Sequence, residues 1–346
     1  MKSKKNIFVK HRISANLSYI SLLFQILISF KKCYKNYWQV FRKYVNQLDN
    51  ITIIMKNGEK FSNISTSGIF VIASLYPEKK FNVKIIEDII ELEHLERDTN
   101  KKIMIKILGG VNNGDIFHIF LKDEYKSIPF QDKTIVDIGA NIGDSSTYFA
   151  VNGASRVVGI EPFFKNFSLA KKNILQNNLL QKVEIIHAGC SDKSGVIEID
   201  PDYNSNVDSV MKNQINGEKI SSLTLDDIIN KYRIPKNSIL KMDCEGCEYE
   251  SIISAKKETL EHFEYIFIEY HHGYMDLVKK LENSNFDVIF DNPSSTGFIG
   301  KYLNKIKNTS NNISENSNFD DNGYSGNIQA VRKKLHVNKD IKIVKI

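Results

Sequence analysis

From Thr134 onward the sequence alternates between two periods, and this alternation constrains the fold more than any other feature. Runs rich in β-branched residues fit strands at 134–138, 156–161, 182–188, 238–243, 264–270 and 286–291. Between them, apolar residues three and four apart fit helices at 143–152, 163–178, 224–233, 248–257 and 274–284. Strand–helix alternation of this kind predicts a parallel sheet with helices on both faces. A last strand, "NIQAVRKK", follows an Asn- and Ser-rich stretch, Asn304 to Asn327, that reads as a long flexible loop.

Upstream the pattern is less regular. "ITIIMKNGEKFSNI" reads as a hairpin around Asn57-Gly58, and "KKIMIKILGGVNNGDIFHIFLK" as a second one turning near Asn113-Gly114. Between them, Gly68 to Arg97 reads as helical in its second half. Two amphipathic helices precede these hairpins. The first covers the uncharged run Ala15 to Phe30; the second places Tyr34, Tyr37, Trp38, Phe41, Tyr44, Val45 and Leu48 on one face. The expected organisation is a helical arm over 1–50, an accessory region over 51–130 and an α/β domain over 131–335. That domain carries an insertion at 304–326, and a basic tail closes the chain at 336–346.

Charge is unevenly placed. Residues 1–50 hold ten Lys or Arg against one acid, Asp49, a net +9 in a chain of net +6, so the remainder is net negative. Basicity confined to an arm speaks against a nucleic-acid-binding core. As a helix, Ala15–Phe30 would span ~24 Å, short of the ~30 Å hydrocarbon core of a bilayer. Ser18, Ser21, Gln25, Ser29 and Lys32 give it a polar stripe, so it is expected to pack on its own protein. The alternative is peripheral contact with an anionic membrane surface through residues 1–50. Four cysteines are too few for a disulfide-stapled secreted fold, and a cytoplasmic setting follows as the expectation.

Ligands of an open α/β sheet sit outside the carboxyl ends of its strands, so the loops leaving each strand carry the chemistry. After the first comes Asp137-Ile-Gly139-Ala-Asn141-Ile-Gly143-Asp144. Gly139 can turn sharply and bring backbone near a ligand. Asn141 stands where a dinucleotide fingerprint needs bare backbone, which disfavours NAD, and no phosphate-binding P-loop is present. S-adenosylmethionine fits better, since Asp137 and Asp144 suit its cationic groups. Glu161, after the second strand, is placed to accept ribose hydroxyls, and Ser191 and Asp192, after the third, to border the adenine. The fourth strand runs into "ILKMDCEGCEYE", with Asp243, Glu245 and Glu248 within six residues. Cys244 and Cys247 form a C-x-x-C that lacks redox or zinc context and reads as two small packing residues, with no metal expected. "FIEYHHGY" follows the fifth strand, and of His271 and His272 only one can face the site.

"VDIGANIGDSSTYFA", "GIEPFFKNFSLAKKNI", "SDKSG", "LTLDDII", "LKMDCEGCEYE" and "IEYHH", in this order, resemble the FkbM family of S-adenosylmethionine-dependent methyltransferases. The K-x-D-x-E-G-x-E block is the most particular of these. The resemblance implies a Rossmann-like methyltransferase fold with a final antiparallel strand, and methyl transfer to oxygen on a sugar or other small hydroxylated acceptor. In such a reaction a base removes the hydroxyl proton while the reactants are held in line. The expected base is Asp243 or His271, with Glu245 orienting the acceptor. The insertion would overhang the site as a lid. Two rivals stand beside this reading: a non-catalytic protein acting through the basic arm, and a nicotinamide-dependent oxidoreductase.

Overall fold

The computed structural model describes residues 23–45, 51–76, 82–97, 99–112, 115–199, 217–271, 273–291 and 326–333. The insertion up to residue 325, the basic tail, the first 22 residues, the Asn113-Gly114 turn and His272 lie outside them. So does the proposed lid.

The chain enters through α1 (residues 23–33) and α2 (Tyr37–Tyr44). Ile26, Phe30 and Cys33 of α1 are buried against the rest of the protein, while Phe24 and Ile28 are exposed. On α2 it is Val40 that is buried, and Trp38, expected on the packed face, is 55% exposed. Among the described residues no helix is long and apolar enough to cross a membrane.

The hairpin at Asn57-Gly58 forms between β1 (Ile53–Ile54) and β2 (Lys60–Phe61). Beyond it the upstream expectations need correction. A helix, α3 (Thr66–Leu75), comes first, capped by the Ser65 hydroxyl oxygen accepting from Gly68 N–H. Its buried Ile69, Ile72 and Ala73 are spaced three and four apart. The second half is extended: β3 (Lys84–Ile86), β4 (Ile89–Leu95) and β5 (Lys102–Leu108) make an antiparallel sheet in that order. Ile90, Leu92 and His94 are buried at period two, which a helix could not satisfy. The expected second hairpin does not form, because β5 pairs back with β4. Phe117–Leu121 coil instead into a helical turn that buries Ile119 and Phe120.

The α/β part follows the expected order closely. It contains β6 (Thr134–Ile138), α4 (Asp144–Val151), β7 (Arg156–Glu161), α5 (Phe164–Gln176) and β8 (Val183–His187). A three-stranded side sheet of β9 (Gly189–Cys190), β10 (Gly195–Ile199) and β11 (Glu218–Leu223) comes next. After α6 (Leu225–Lys231) come β12 (Ser238–Met242), α7 (Cys247–Ser254) and α8 (Lys257–Leu260). The chain then forms β13 (Phe263–Tyr270), α9 (Met275–Asn283), β14 (Phe286–Phe290) and β15 (Gly326–Arg332). The central sheet has the order β14-β15-β13-β12-β6-β7-β8, parallel except for β15, which is antiparallel to both neighbours. It is a Rossmann-like α/β fold with a final antiparallel strand.

Each face of the sheet has its own core. One contains Val136, Ile138, Leu240, Ile266 and Ile268 with residues of α6, α7 and α9. The other contains Ile135, Val157, Ile239 and Phe267, and continues without a break into Phe30, Ile72, Leu92 and Phe120 of the upstream region. The amino-terminal elements therefore cover one face of the sheet and are part of its core.

Candidate active site

The strand order reverses between β6 and β12, and at such a switch point the loops leaving adjacent strands part and open a crevice. Register there sets Lys241 of β12 directly opposite Asp137 of β6. Both are buried, and Lys241 Nζ lies 3.0 Å from Asp137 Oδ1 and 3.8 Å from Asp243 Oδ2. It also donates to the Gly139 carbonyl at 3.2 Å. Burial alone would pull Lys241 down, but Asp137 and Asp243 more than offset it and hold the ammonium charged. The other Asp137 oxygen accepts from the Ser145 and Ser146 hydroxyls at 2.7 and 2.6 Å. Asp137 thus faces inward, where it anchors the turn.

Gly139 has φ +80°, and a Cβ there would stand 1.8 Å from the Asp243 carbonyl oxygen. The glycine is required because the 243–244 backbone presses on it, a reason the sequence reading had assigned to a ligand. Gly143 (φ +79°) lets α5 pack close, with Ala170 Cβ 3.1 Å from where its own Cβ would be. Between them Asn141, at φ 47°, donates its N–H to Glu161 Oε2 at 2.9 Å, while Phe163 N–H donates to Oε1. Burial pushes Glu161 up to about 7, with those two N–H groups working against the shift. Asp144 opens α4, is buried, and accepts from Asp115 N–H at 3.0 Å; burial pushes it up to about 6. Ser191, following β9, donates to Asp192 Oδ1 at 3.1 Å, and Asp192 pairs with Lys193.

A small cleft of about 20 Å³ lies among these loops, lined by Gly139, Pro162, Phe163, Cys190, Cys244 and Cys247 with Ile138 and Ile160. The two cysteines expected as separate packing residues are joined in a disulfide, their Cα atoms 5.5 Å apart. Their separation of three residues across a tight turn brings the side chains together.

Beside this cleft the fourth and fifth strand ends bring carboxylates around one imidazole. His271 Nε2 lies 3.5 Å from Glu245 Oε2, 3.8 Å from Asp243 Oδ1 and 3.9 Å from Glu269 Oε1. On the opposite side of the ring, Nδ1 is 3.4 Å from the fully buried Glu248. Glu248 also accepts from the N–H groups of Cys244 (2.9 Å) and Gly246 (2.7 Å), so it shapes the 244–246 loop and orients the ring together. Burial opposes a charge on His271, yet Glu248, Glu245 and Asp243 push it up to about 10. Asp243 is raised, chiefly by burial, and Glu269 is raised chiefly by the Asp243 charge. Asp243, Glu245 and His271 are therefore brought together, and His271 is an imidazolium near neutral pH.

Two residues that the sequence does not single out, Lys241 and Glu124, belong to this arrangement. Lys241 carried a signal: two residues before Asp243 on a strand, it shares that residue's face. Glu124 had no signal, for it arrives from the upstream region. Burial pushes Glu124 up to about 7, with Asp115 and Asp243 as further causes, so the 115–124 segment faces the strand-end acids. Among the described residues, two groups have spacing suited to a cation, Asp243–Glu248–His271 and Asp115–His118–Glu124.

The model of the FkbM methyltransferase domain matches residues 137–317, a span that contains every strand end described above. The chain belongs to the FkbM methyltransferase family. Similar solved structures include an FkbM methyltransferase from Methylobacillus flagellatus KT, with 16% identity, a TM-score of 0.37 and coverage of 59% of this chain and 44% of that one. An O-methyltransferase from Bacillus cereus in complex with SAH shows 15% identity, a TM-score of 0.32 and coverage of 58% and 74%. TrmK from M. capricolum, also in complex with SAH, shows 10% identity, a TM-score of 0.34 and coverage of 61% and 67%. The chain thus spans less than half the length of the M. flagellatus protein. No curated protein sequence matches it.

The cofactor of this FkbM protein is S-adenosylmethionine, and the cleft has the chemistry to take it. A buried carboxylate, Glu161, stands at a strand end beside it, and Pro162 and Phe163 give an apolar wall.

Proposed function

We propose that the FkbM protein is an O-methyltransferase acting on a hydroxyl of a sugar, glycan or other small hydroxylated acceptor. The observation that carries this reading is the Asp243–Glu245–Glu269–His271 group, set at the switch point beside the cofactor cleft. Glu161, Asn141, Pro162, Phe163, Ser191 and Asp192 would hold the cofactor. When bound, S-adenosylmethionine supplies an electrophilic methyl group.

The residues around it divide the remaining work. Asp243 takes the acceptor's hydroxyl proton on its carboxylate, because burial makes it more basic than an ordinary aspartate. His271, already protonated, cannot serve as that base; it holds the surrounding carboxylates in place and balances their charge. Glu245 and Glu269 offer acceptor oxygens to further hydroxyls, a recognition suited to a polyhydroxylated molecule. Glu248 fixes the imidazole. The reading uses no metal.

Calorimetry with S-adenosylhomocysteine, beside NAD and a Glu161→Gln variant, tests the cofactor. Transfer of a labelled methyl group to a panel of sugars then tests the acceptor, with Asp243→Asn as control. A hydroxyl product that falls ~10²–10⁴-fold in the variant supports the reading. Transfer only to nitrogen or carbon, or full activity in Asp243→Asn, would overturn it. Binding without turnover on any acceptor would favour the non-catalytic alternative.

A further inference from the structure

The disulfide of the C-x-x-C occupies a particular place. Cys244 and Cys247 bracket Glu245 and Gly246, so the bond closes the loop that presents Glu245 to His271. That loop is conformationally demanding, with Glu245 at φ 57° and Gly246 at φ 120°. It also leans on the cofactor turn: Cys244 Cα lies 3.1 Å from the position a Gly139 Cβ would take. Both cysteines line the cleft, with the free thiol of Cys190 in the same wall. Cys244 is partly exposed, whereas Cys247 is buried at the first turn of α7.

We propose that Cys244 and Cys247 form a thiol–disulfide exchange site, reduced by a dithiol, whose state sets how tightly the cleft holds S-adenosylmethionine. The proposal rests on the assignment of this cleft to the cofactor. A thiolate of the reductant attacks the accessible Cys244 sulfur, and the S–S bond breaks with its electron pair leaving on Cys247. The helix amino terminus stabilises that leaving thiolate. The second thiol of the reductant then attacks the mixed disulfide, releases Cys244 and closes the reductant's own disulfide. Two electrons pass from the dithiol to the protein, and its two protons end on Cys244 and Cys247. Reduction frees the loop to leave the turn at Gly139, so the oxidised form is the tighter binder.

The full chain is divided, equilibrated with oxidised or reduced dithiothreitol, and desalted. Thiols counted in denaturant should number two in the oxidised sample, Cys33 and Cys190, and four in the reduced one. Calorimetry with S-adenosylhomocysteine should show the reduced form binding about tenfold more weakly, a size typical of coupled sites. By linkage, saturating S-adenosylhomocysteine then makes the pair harder to reduce by about 30 mV. A Cys244→Ser/Cys247→Ser variant should bind like the reduced form and ignore dithiothreitol. The wild-type comparison stands without that variant should it fail to fold. Four thiols in both samples, or equal affinity in both, overturns the proposal and leaves the cofactor reading intact. No binding in either state overturns the two together.

Discussion

Lys241 shows how much one buried charge can organise. It faces Asp137 across the sheet, reaches Asp243 and holds the Gly139 carbonyl, so it joins the turn at Gly139 to the proposed base. Replacing it with methionine leaves the buried Asp137 and the half-buried Asp243 without their cation. The expected cost is about 3–5 kcal/mol in denaturant unfolding, the range for breaking a buried pair. A second residue-scale expectation concerns pH. With Asp243 as base, kcat/KM should rise as its raised pKa is passed and fall near pH 10 as His271 loses its proton. His271→Gln, which cannot titrate, should lower the plateau and abolish the alkaline fall. A fall that persists in the variant would assign that limb to another group.

Among the elements, the segment from Asp115 to Ser127 does most to connect the upstream region with the site. Asp115 N–H caps the Asp144 carboxylate at the start of α4, and Glu124 is pressed toward Asp243. A carboxyl group raised to about 7 in the folded state favours folding less as pH climbs from its ordinary value through 7. Glu124→Gln should therefore match the wild type near pH 4 and exceed it at pH 8, by about 1 kcal/mol or roughly 2–4 °C in Tm. Equal melting at both values would show that Glu124 is well solvated. The same segment marks where the sequence stopped being legible. From Thr134 on, each element announces itself through its own period, and the strand-end acids follow from topology. Upstream, Ile116, Ile119 and Phe120 have helical spacing hidden inside a run that also reads as a strand, and Ile90, Leu92 and His94 the reverse. Local period cannot decide where only the partner decides. Nor could spacing show that Glu124 meets Asp243, or that Lys241 and Asp137 share a register.

At the scale of the molecule, the continuous core on one face of the sheet matters most. Phe30 of α1 and Phe149 of α4 belong to the same buried cluster, which also includes Leu92 of β4 and Ile239 of β12. Polar ties run across it: the buried His94 to Asn152 at 2.9 Å, and the half-buried Arg97 to the Tyr148 hydroxyl at 2.8 Å and that hydroxyl to Asp123. An arm that merely tethered the α/β part elsewhere would melt by itself. A shared core instead couples the two, because a cavity opened in either removes contacts from both. Phe30→Ala and Phe149→Ala should each cost about 3–5 kcal/mol and shift one common unfolding transition. The check is to follow melting both by helical signal and by S-adenosylhomocysteine binding. If Phe30→Ala splits the transition and leaves binding at its original midpoint, the amino-terminal elements are an appendage. If both signals fall together, they are one wall of the methyltransferase core, and the 115–124 segment is held at the active site by the packing of the whole upstream region.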